Sequence, residues 1–226
     1  MKLAVLFSGG KDSCLALYKA MQEHEIACLI NILSENEASY MFHVPNAHIT
    51  KMQAEAIGLP LIQKTTKGVK EEELKDLKAS LQEAKKKFNI QGIVTGAIKS
   101  VYQASRIQKL CDELNLKCIN PLWQRDEIEI LQELIKNNFK VIISGIFAYP
   151  LEKELLGKEI NSEIVRKLEK LKEKWKINPA GEGGEIETTV LDAPFFKKRV
   201  KILDSETSYA NNSGTFRIKS AELEDK

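Results

Sequence analysis

Six consecutive residues near the start of the chain, Ser8-Gly9-Gly10-Lys11-Asp12-Ser13, combine the side chains and backbone that hold an oxyanion. Two adjacent glycines allow a tight turn that brings several N–H groups to bear on one point. Ser8 and Ser13 add hydroxyl donors and Lys11 a positive charge. Asp12 adds a carboxylate able to hold a magnesium ion against phosphates. The spacing is not that of a Walker A loop, which puts a glycine directly before Lys-Ser/Thr and another five positions earlier. Here Asp12 separates Lys11 from Ser13, and the glycines stand together.

Three other groups of residues could share that site. Phe42 and His43 lie in a polar stretch after an apolar run and could wall an adenine and ribose pocket; equally, Phe42 could cap the core and His43 face water. Tyr102, Gln103 and Arg106 open a helix and are candidates to touch nucleotide or substrate, or could form an exposed helix start with no ligand. Gly181-Glu182-Gly183-Gly184-Glu185-Ile186-Glu187 interleaves three glycines with three carboxylates. A solvated acidic run rarely needs so much backbone freedom, although a glycine-rich hairpin with its glutamates in water has the same composition.

The surrounding periodicity says which elements carry these residues. The apolar run Leu3–Phe7 is of strand type and passes through the glycines into helix formers, so the phosphate loop sits between strand and helix, where the helix dipole favours an anion. Ala27–Leu33 is almost continuously apolar, as in a parallel strand covered on both faces. A helix over 47–57 closed by Gly58, a short strand at 59–63, and a helix from Lys70 with Leu74, Leu77, Leu81, Ala84 and Phe88 on one stripe follow. Gly92–Gly96 is the next strand, then a helix through Leu114 and a strand at 117–119. Strands alternating with helices predict a doubly wound parallel sheet whose carboxyl ends share one rim, so the loops near residues 10 and 100 should be neighbours. Beyond Pro121 the pattern predicts a helix at 126–137, a strand at 141–147, a helix within 150–176, and short strands at 189–191, 199–203 and 215–218. Asn211–Gly214 is a turn signal, and 223–226 reads as a frayed tail. The expected organisation is α/β, with a nucleotide-binding domain over 1–121 and a smaller α+β substrate domain over 122–226.

Composition narrows the function. With 34 basic and 32 acidic residues the formal charge is +2, which gives no reason to expect nucleic-acid binding. No apolar run approaches the ~20 residues that span a bilayer, and the N-terminus has no leader pattern, so a cytoplasmic location is expected. Cys14, Cys28, Cys111 and Cys118 lack C-x-x-C or Cys/His spacing and read as small buried hydrophobes. No cysteine follows Met1 and no glutaminase constellation of Cys and His is present, so nothing in the sequence points to release of ammonia from glutamine. The compact basic run of Lys197, Lys198, Arg199 and Lys201 fits an edge strand guarded against aggregation.

The loop S-G-G-x-D-S resembles that of the N-type ATP pyrophosphatases, which carry a Rossmann-like (HUP-type) sheet. Together with Gly96, Tyr102-Gln103, Arg106, Pro121-Leu122-Trp123, and the glycine–glutamate block with Asp192 and Pro194, the chain resembles the diphthine–ammonia ligase family over essentially its whole length. Two positions depart from the pattern: Ala97 follows Gly96 where many relatives have Asp, and Ala180 stands where relatives often have Cys.

The resemblance implies ATP and Mg2+ as cofactors and diphthine-bearing translation elongation factor 2 and ammonium as partners, with no nucleic acid or membrane; the oligomeric state stays open, a homo-oligomer included. It implies that the diphthine carboxylate is adenylated and then amidated, giving AMP and pyrophosphate. Ser8 to Ser13, Phe42, His43 and Gly96 would then bind nucleotide, with Asp12 at the metal. Lys11, Asp12, Glu182 and Glu185 would be catalytic, and Tyr102, Gln103, Arg106, Glu182, Glu185 and Glu187 would meet substrate. Two other readings remain at this point: an adenylating or thiolating enzyme of tRNA, and a nucleotide-binding sensor without catalysis.

Overall fold

A computed structural model describes residues 1–35, 45–68 and 72–226, so Phe42 and His43 lie outside the described residues. The first half alternates as the sequence predicts: β1 (Lys2–Leu6), α1 (Lys11–Met21), β2 (Glu25–Ser34), α2 (Thr50–Ile57), β3 (Leu61–Thr66), α3 (Glu72–Phe88), β4 (Gly92–Val94), α4 (Val101–Leu114) and β5 (Lys117–Ile119). All five strands are parallel, in the order β3-β2-β1-β4-β5. The chain first winds from β1 outward to β3 and then returns to place β4 on the other side of β1. That reversal is the topological switch point, where neighbouring loops diverge and leave a crevice at the strands' carboxyl ends. The loop after β1 holds residues 8–10 and the loop after β4 holds residues 95–100, so the two border this crevice.

The second half contains α5 (Glu127–Lys136), β6 (Lys140–Ile146), α6 (Ser162–Trp175), β7 (Ile186–Asp192), β8 (Lys198–Ala210) and β9 (Ser213–Asp225). Its strands form an antiparallel sheet in the order β7-β6-β9-β8. Asp126 caps α5 by accepting from the N–H groups of Ile128 (2.8 Å) and Glu129 (3.1 Å), and Asn161 caps α6 in the same way. Asn211 and Asn212 both have positive φ (51° and 59°), the backbone a two-residue hairpin turn between β8 and β9 requires.

Two sequence expectations change here. The C-terminal strands are much longer than the predicted short segments, because their alternation is of charge pairs rather than apolar and polar residues. Residues 223–226 are not frayed: β9 runs to Asp225, and Lys226 Nζ donates to the Ala193 carbonyl (2.7 Å). Lys198, Arg199 and Lys201 of the basic run are on β8, an edge strand, and face acids across the hairpin, Arg199 with Glu224 and Lys201 with Glu222, while Lys197 precedes the strand.

The two sheets share one apolar core. Val5, Leu15, Leu17 and Val94 belong to the same buried cluster as Ile130, Leu131, Phe139, Val141, Ile143 and Val190. A separate cluster on the other face of the parallel sheet joins Ile30, Ile93, Leu77, Leu81, Leu110 and Cys111 beneath α3 and α4. Each face of the parallel sheet is therefore covered, one by helices and the other by helices α1 and α2 with the second sheet packed on them.

Candidate active site

The loop over Ser8 to Ser13 is built as its sequence demands. Gly9 has φ of 80°, a backbone that side chains rarely adopt, and a Cβ there would fall 2.1 Å from Gln53 Oε1 and force that side chain to shift. Gly10 is the N-cap residue of α1 and supplies no side-chain cap; of the first-turn N–H groups, that of Lys11 is taken by a side chain of the second sheet. Ser13 Oγ donates to the Gly10 carbonyl (3.1 Å) and lies 3.2 Å from Ser8 Oγ, which holds the two hydroxyls together at the turn. Gly96 completes the cradle from β4: a Cβ there would lie 2.8 Å from backbone atoms of Asp12 and Ser13.

The second sheet meets this loop directly. Lys11 N donates to Thr188 Oγ1 (3.1 Å), and Val190 N donates to the Gly9 carbonyl (3.0 Å). Gln53 Nε2 donates to the carbonyls of Gly9 (2.9 Å) and Val190 (2.7 Å), clamping the two sheets through α2. Lys11 is only 2% exposed; its ammonium donates to Asp12 Oδ2 (2.9 Å) and to the Ala180 carbonyl. The other carboxylate oxygen, Asp12 Oδ1, is buried with no hydrogen-bond partner among the described residues. Such an atom costs roughly 1–3 kcal/mol if nothing ever satisfies it.

A cavity of about 650 Å³ opens over the loop. From the first half it is lined by Ser8, Gly10, Lys11, Asp12, Ser13, Thr95, Gly96 and Gln103 among others, and from the second half by Phe147, Glu182, Glu187, Thr188 and Thr215. The volume suits a nucleotide or a drug-sized ligand.

The three glutamates of the glycine-rich turn diverge. Gly181 (φ 71°) admits no side chain, since a Cβ would sit 2.0 Å from the Ile186 carbonyl oxygen, and the resulting tight turn sends its carboxylates different ways. Glu182 Oε1 accepts from the N–H groups of Lys99 (2.8 Å) and Ser100 (2.6 Å), pinning the loop before α4. Glu185 folds back on its own turn, accepting from Asn178 N (3.4 Å), and is not part of the cavity lining. Glu187 faces the cavity. Burial pushes its carboxyl up to about 7 from the ordinary 4.5; Lys11 opposes the rise and Asp12 adds to it.

At the residue-100 loop, Gln103 lines the cavity, whereas Tyr102 and Arg106 do not. The Arg106 guanidinium stacks 3.6 Å from the Tyr102 ring centroid, and Arg106 turns toward a separate hollow between α3 and α4. The loop is braced from below. Glu127, 6% exposed, accepts from Lys99 Nζ (2.5 Å) and Lys172 Nζ (2.9 Å). Burial alone would raise its carboxyl, but these two ammonium groups outweigh that and hold it at about 2.

Gln53, Thr188 and Phe147 escaped the reading of the sequence. The signal for Gln53 was a polar residue midway between Ile49 and Ile57, four residues from each on the buried stripe of its helix. Thr188 likewise interrupts the buried alternation of Ile186 and Val190. Phe147, at the end of an apolar strand, carried no such mark.

Residues 1–118 match the family model described as the diphthamide synthase N-terminal domain, and residues 126–223 match that of the diphthamide synthase C-terminal domain. A mouse protein named diphthine–ammonia ligase is 34% identical across 100% of this chain and 94% of its own length. The human protein of that name is also 34% identical over the same shares. The one from Schizosaccharomyces pombe is 33% identical across 91% of this chain, which corresponds to 37% of that longer protein. A solved structure titled as a predicted subunit of tRNA methyltransferase from Methanocaldococcus jannaschii covers 86% of this chain and 98% of its own at 20% identity, with a TM-score of 0.41, a likeness too slight to build on.

Proposed function

Since this chain belongs to the diphthamide synthase family, we propose that it amidates diphthine on translation elongation factor 2 with ammonium, in an ATP-dependent reaction that forms AMP and pyrophosphate. The observation that supports this most is the meeting of two unlike walls on one cavity: the phosphate cradle of β1 and α1, and Glu187 of β7.

The chemistry needs two steps. A carboxylate is a poor acceptor for ammonia, because attack would have to expel oxide. In the first step a carboxylate oxygen of diphthine attacks the α phosphorus of ATP, and the bond to the β phosphate breaks, releasing pyrophosphate. Ammonia then attacks the acyl carbon of the adenylate, the bond to AMP breaks, and the amide nitrogen loses a proton. The N–H groups about Gly9 and Gly10, the Ser8 and Ser13 hydroxyls, and the Lys11 ammonium are suited to holding the departing phosphates as negative charge builds on the bridging oxygen. A bound magnesium ion would supply further charge neutralisation there. Asp12 fits such an ion through its unpartnered oxygen. Among the described residues no group of three His, Cys, Asp or Glu side chains could cage a metal, so phosphate oxygens and water would complete the shell.

Glu187 is suited to the second step. A carboxyl near 7 can accept a proton from ammonium at neutral pH and release it afterwards. Glu182 acts at one remove by positioning the loop that carries Gln103 into the cavity. Residues 1–121 are taken as the ATP-binding half and 122–226 as the half that receives the modified side chain. Among the described residues no helix is long and apolar enough to cross a membrane, and a cytoplasmic setting is where elongation factor 2 would be met.

The test is incubation with ATP, ammonium and diphthine-bearing elongation factor 2. AMP, pyrophosphate and a protein product carrying one added nitrogen are expected, and Asp12→Ala should abolish AMP formation while leaving the protein folded. Release of ADP would overturn the reading, and normal turnover by Asp12→Ala would overturn the metal-side role of Asp12.

A further inference from the structure

Phe147 is 38% exposed although it follows a strand whose residues 141–146 are all buried. Its ring is not loose. It lies against the bare Cα of Gly145, where a Cβ would come within 2.7 Å of its Cε2 and 2.8 Å of its Cζ, and within 3.1 Å of Glu187 Cβ. In the sheet Gly145 pairs with Glu187 on one side and Thr215 on the other. Phe147, Glu187 and Thr215 all line the cavity. The main chain fixes the position too, since Phe147 N donates to the carbonyl of Glu185 (2.9 Å) in the glycine-rich turn. An aromatic ring thus borders the cavity on the same pair of strands as the Glu187 side chain.

Few ligands suit that pair. An anion is repelled by both the carboxylate and the negative face of the ring. A primary ammonium is strongly hydrated and needs several acceptors to replace its water, which an aromatic ring does not provide. A quaternary ammonium has no N–H to satisfy and a weakly held hydration shell, so it gains from ring face and carboxylate together.

We propose that Phe147, seated on Gly145 beside Glu187, forms a quaternary-ammonium subsite on the second-sheet wall of the cavity. Diphthine, the substrate proposed above, carries a trimethylammonium group as well as its carboxylate, and the subsite holds that group while the carboxyl faces the phosphate cradle. The assignment rests on the ligase reading for the identity of the natural cation. The physical claim about the subsite can be measured without turnover. Gly145 is then a specificity device: any side chain there would displace the ring.

The probe is choline chloride, titrated into the full-length protein by calorimetry against a sodium chloride control. Wild type should bind choline, and choline should compete with diphthine-bearing elongation factor 2 but not with ATP. Phe147→Leu should weaken choline roughly three- to thirty-fold and raise the KM for the protein substrate by a similar factor, with the KM for ATP unchanged. Phe147→Tyr should restore both, and Gly145→Ala should reproduce the loss. Equal choline binding by wild type and Phe147→Leu, or none by wild type, overturns the subsite. The two proposals fail separately: Phe147-dependent choline binding without amide formation removes the ligase reading alone, and amide formation indifferent to Phe147→Leu removes the subsite alone.

Discussion

Replacing Glu187 with Gln should make the protein more stable and less active, and the two effects can be read in one pH series. In the unfolded chain this carboxyl titrates at its ordinary 4.5; in the fold, burial moves it to about 7. The folded state therefore binds the proton more tightly, and ionisation opposes folding. Below pH 4.5 both states are protonated and no penalty exists. It grows as pH rises from 4.5 and is complete above about 7. A displacement of that size corresponds to roughly 3 kcal/mol, and solvent reaching the half-buried side chain reduces it to about 1–3 kcal/mol. For a chain of this length each kcal/mol moves Tm by roughly 2–4 °C. Glu187→Gln should thus melt a few to about ten degrees above wild type at pH 8, with the gap closing by pH 4.5. Amide formation at pH 8 should fall by about 10²–10⁴, the usual worth of a general base. Differential scanning calorimetry and a product assay on the same preparations decide it. A Tm gap independent of pH would refute the account of the buried carboxyl, and full activity in Glu187→Gln would refute its role as base.

Two other substitutions test the frame around the site. Gly96→Ala drives a Cβ to 2.8 Å from the backbone of Asp12 and Ser13, atoms that cannot swing aside. It should cost about 1–3 kcal/mol of stability and at least tenfold in ATP affinity by calorimetry. Glu127→Gln removes the anion shared by Lys99 and Lys172. Because the folded carboxyl sits at about 2, its contribution is present above pH 4.5 and lost as pH falls toward 2. The variant should be less stable than wild type by about 1–3 kcal/mol at pH 7, allowing for two half-exposed lysines. Denaturant melts should show that difference vanishing near pH 2.

What the sequence disclosed was what is local. Ser8 to Ser13 could be recognised because strand, glycine turn and helix start are contiguous, and the stripe of Leu74, Leu77, Leu81 and Ala84 because a helix writes its buried face at fixed intervals. The parallel order followed from the alternation of such segments. Contacts between distant segments left weaker marks. Nothing near Lys11 signals that its ammonium reaches the Ala180 carbonyl, a partner 169 residues away supplied by backbone rather than side chain. The three glutamates of the glycine-rich turn looked equivalent because composition cannot show direction. Gly181 makes the turn tight enough to send Glu182 to the residue-100 loop, Glu185 back on itself and Glu187 into the cavity. The Arg106 guanidinium stacks on the Tyr102 ring, a contact open to any Tyr and Arg four positions apart on a helix.

The shared core changes how the halves can be dissected. If the parallel sheet bound nucleotide alone and the second sheet merely presented substrate, substitutions in the glycine–glutamate block would spare ATP affinity. The contacts do not divide in that way. Thr188 holds the amide of Lys11, the backbone of Val190 holds Gly9, and Glu182 fixes the loop that closes on the first turn of α1 from the other side. Thr188 and Glu182 are thus part of the phosphate cradle's support, although they lie beyond the first sheet. Their loss should lower nucleotide binding as well as amidation without any general unfolding. A selective loss of amidation is expected only where a side chain faces the cavity without bonding to the loop, as Glu187 and Phe147 do. Under the proposed two-step reaction, the close seat of the second sheet has a physical rationale: an adenylate would have to be attacked by ammonia before water reached it, and a wall anchored to the glycine loop would keep both steps within one enclosed volume.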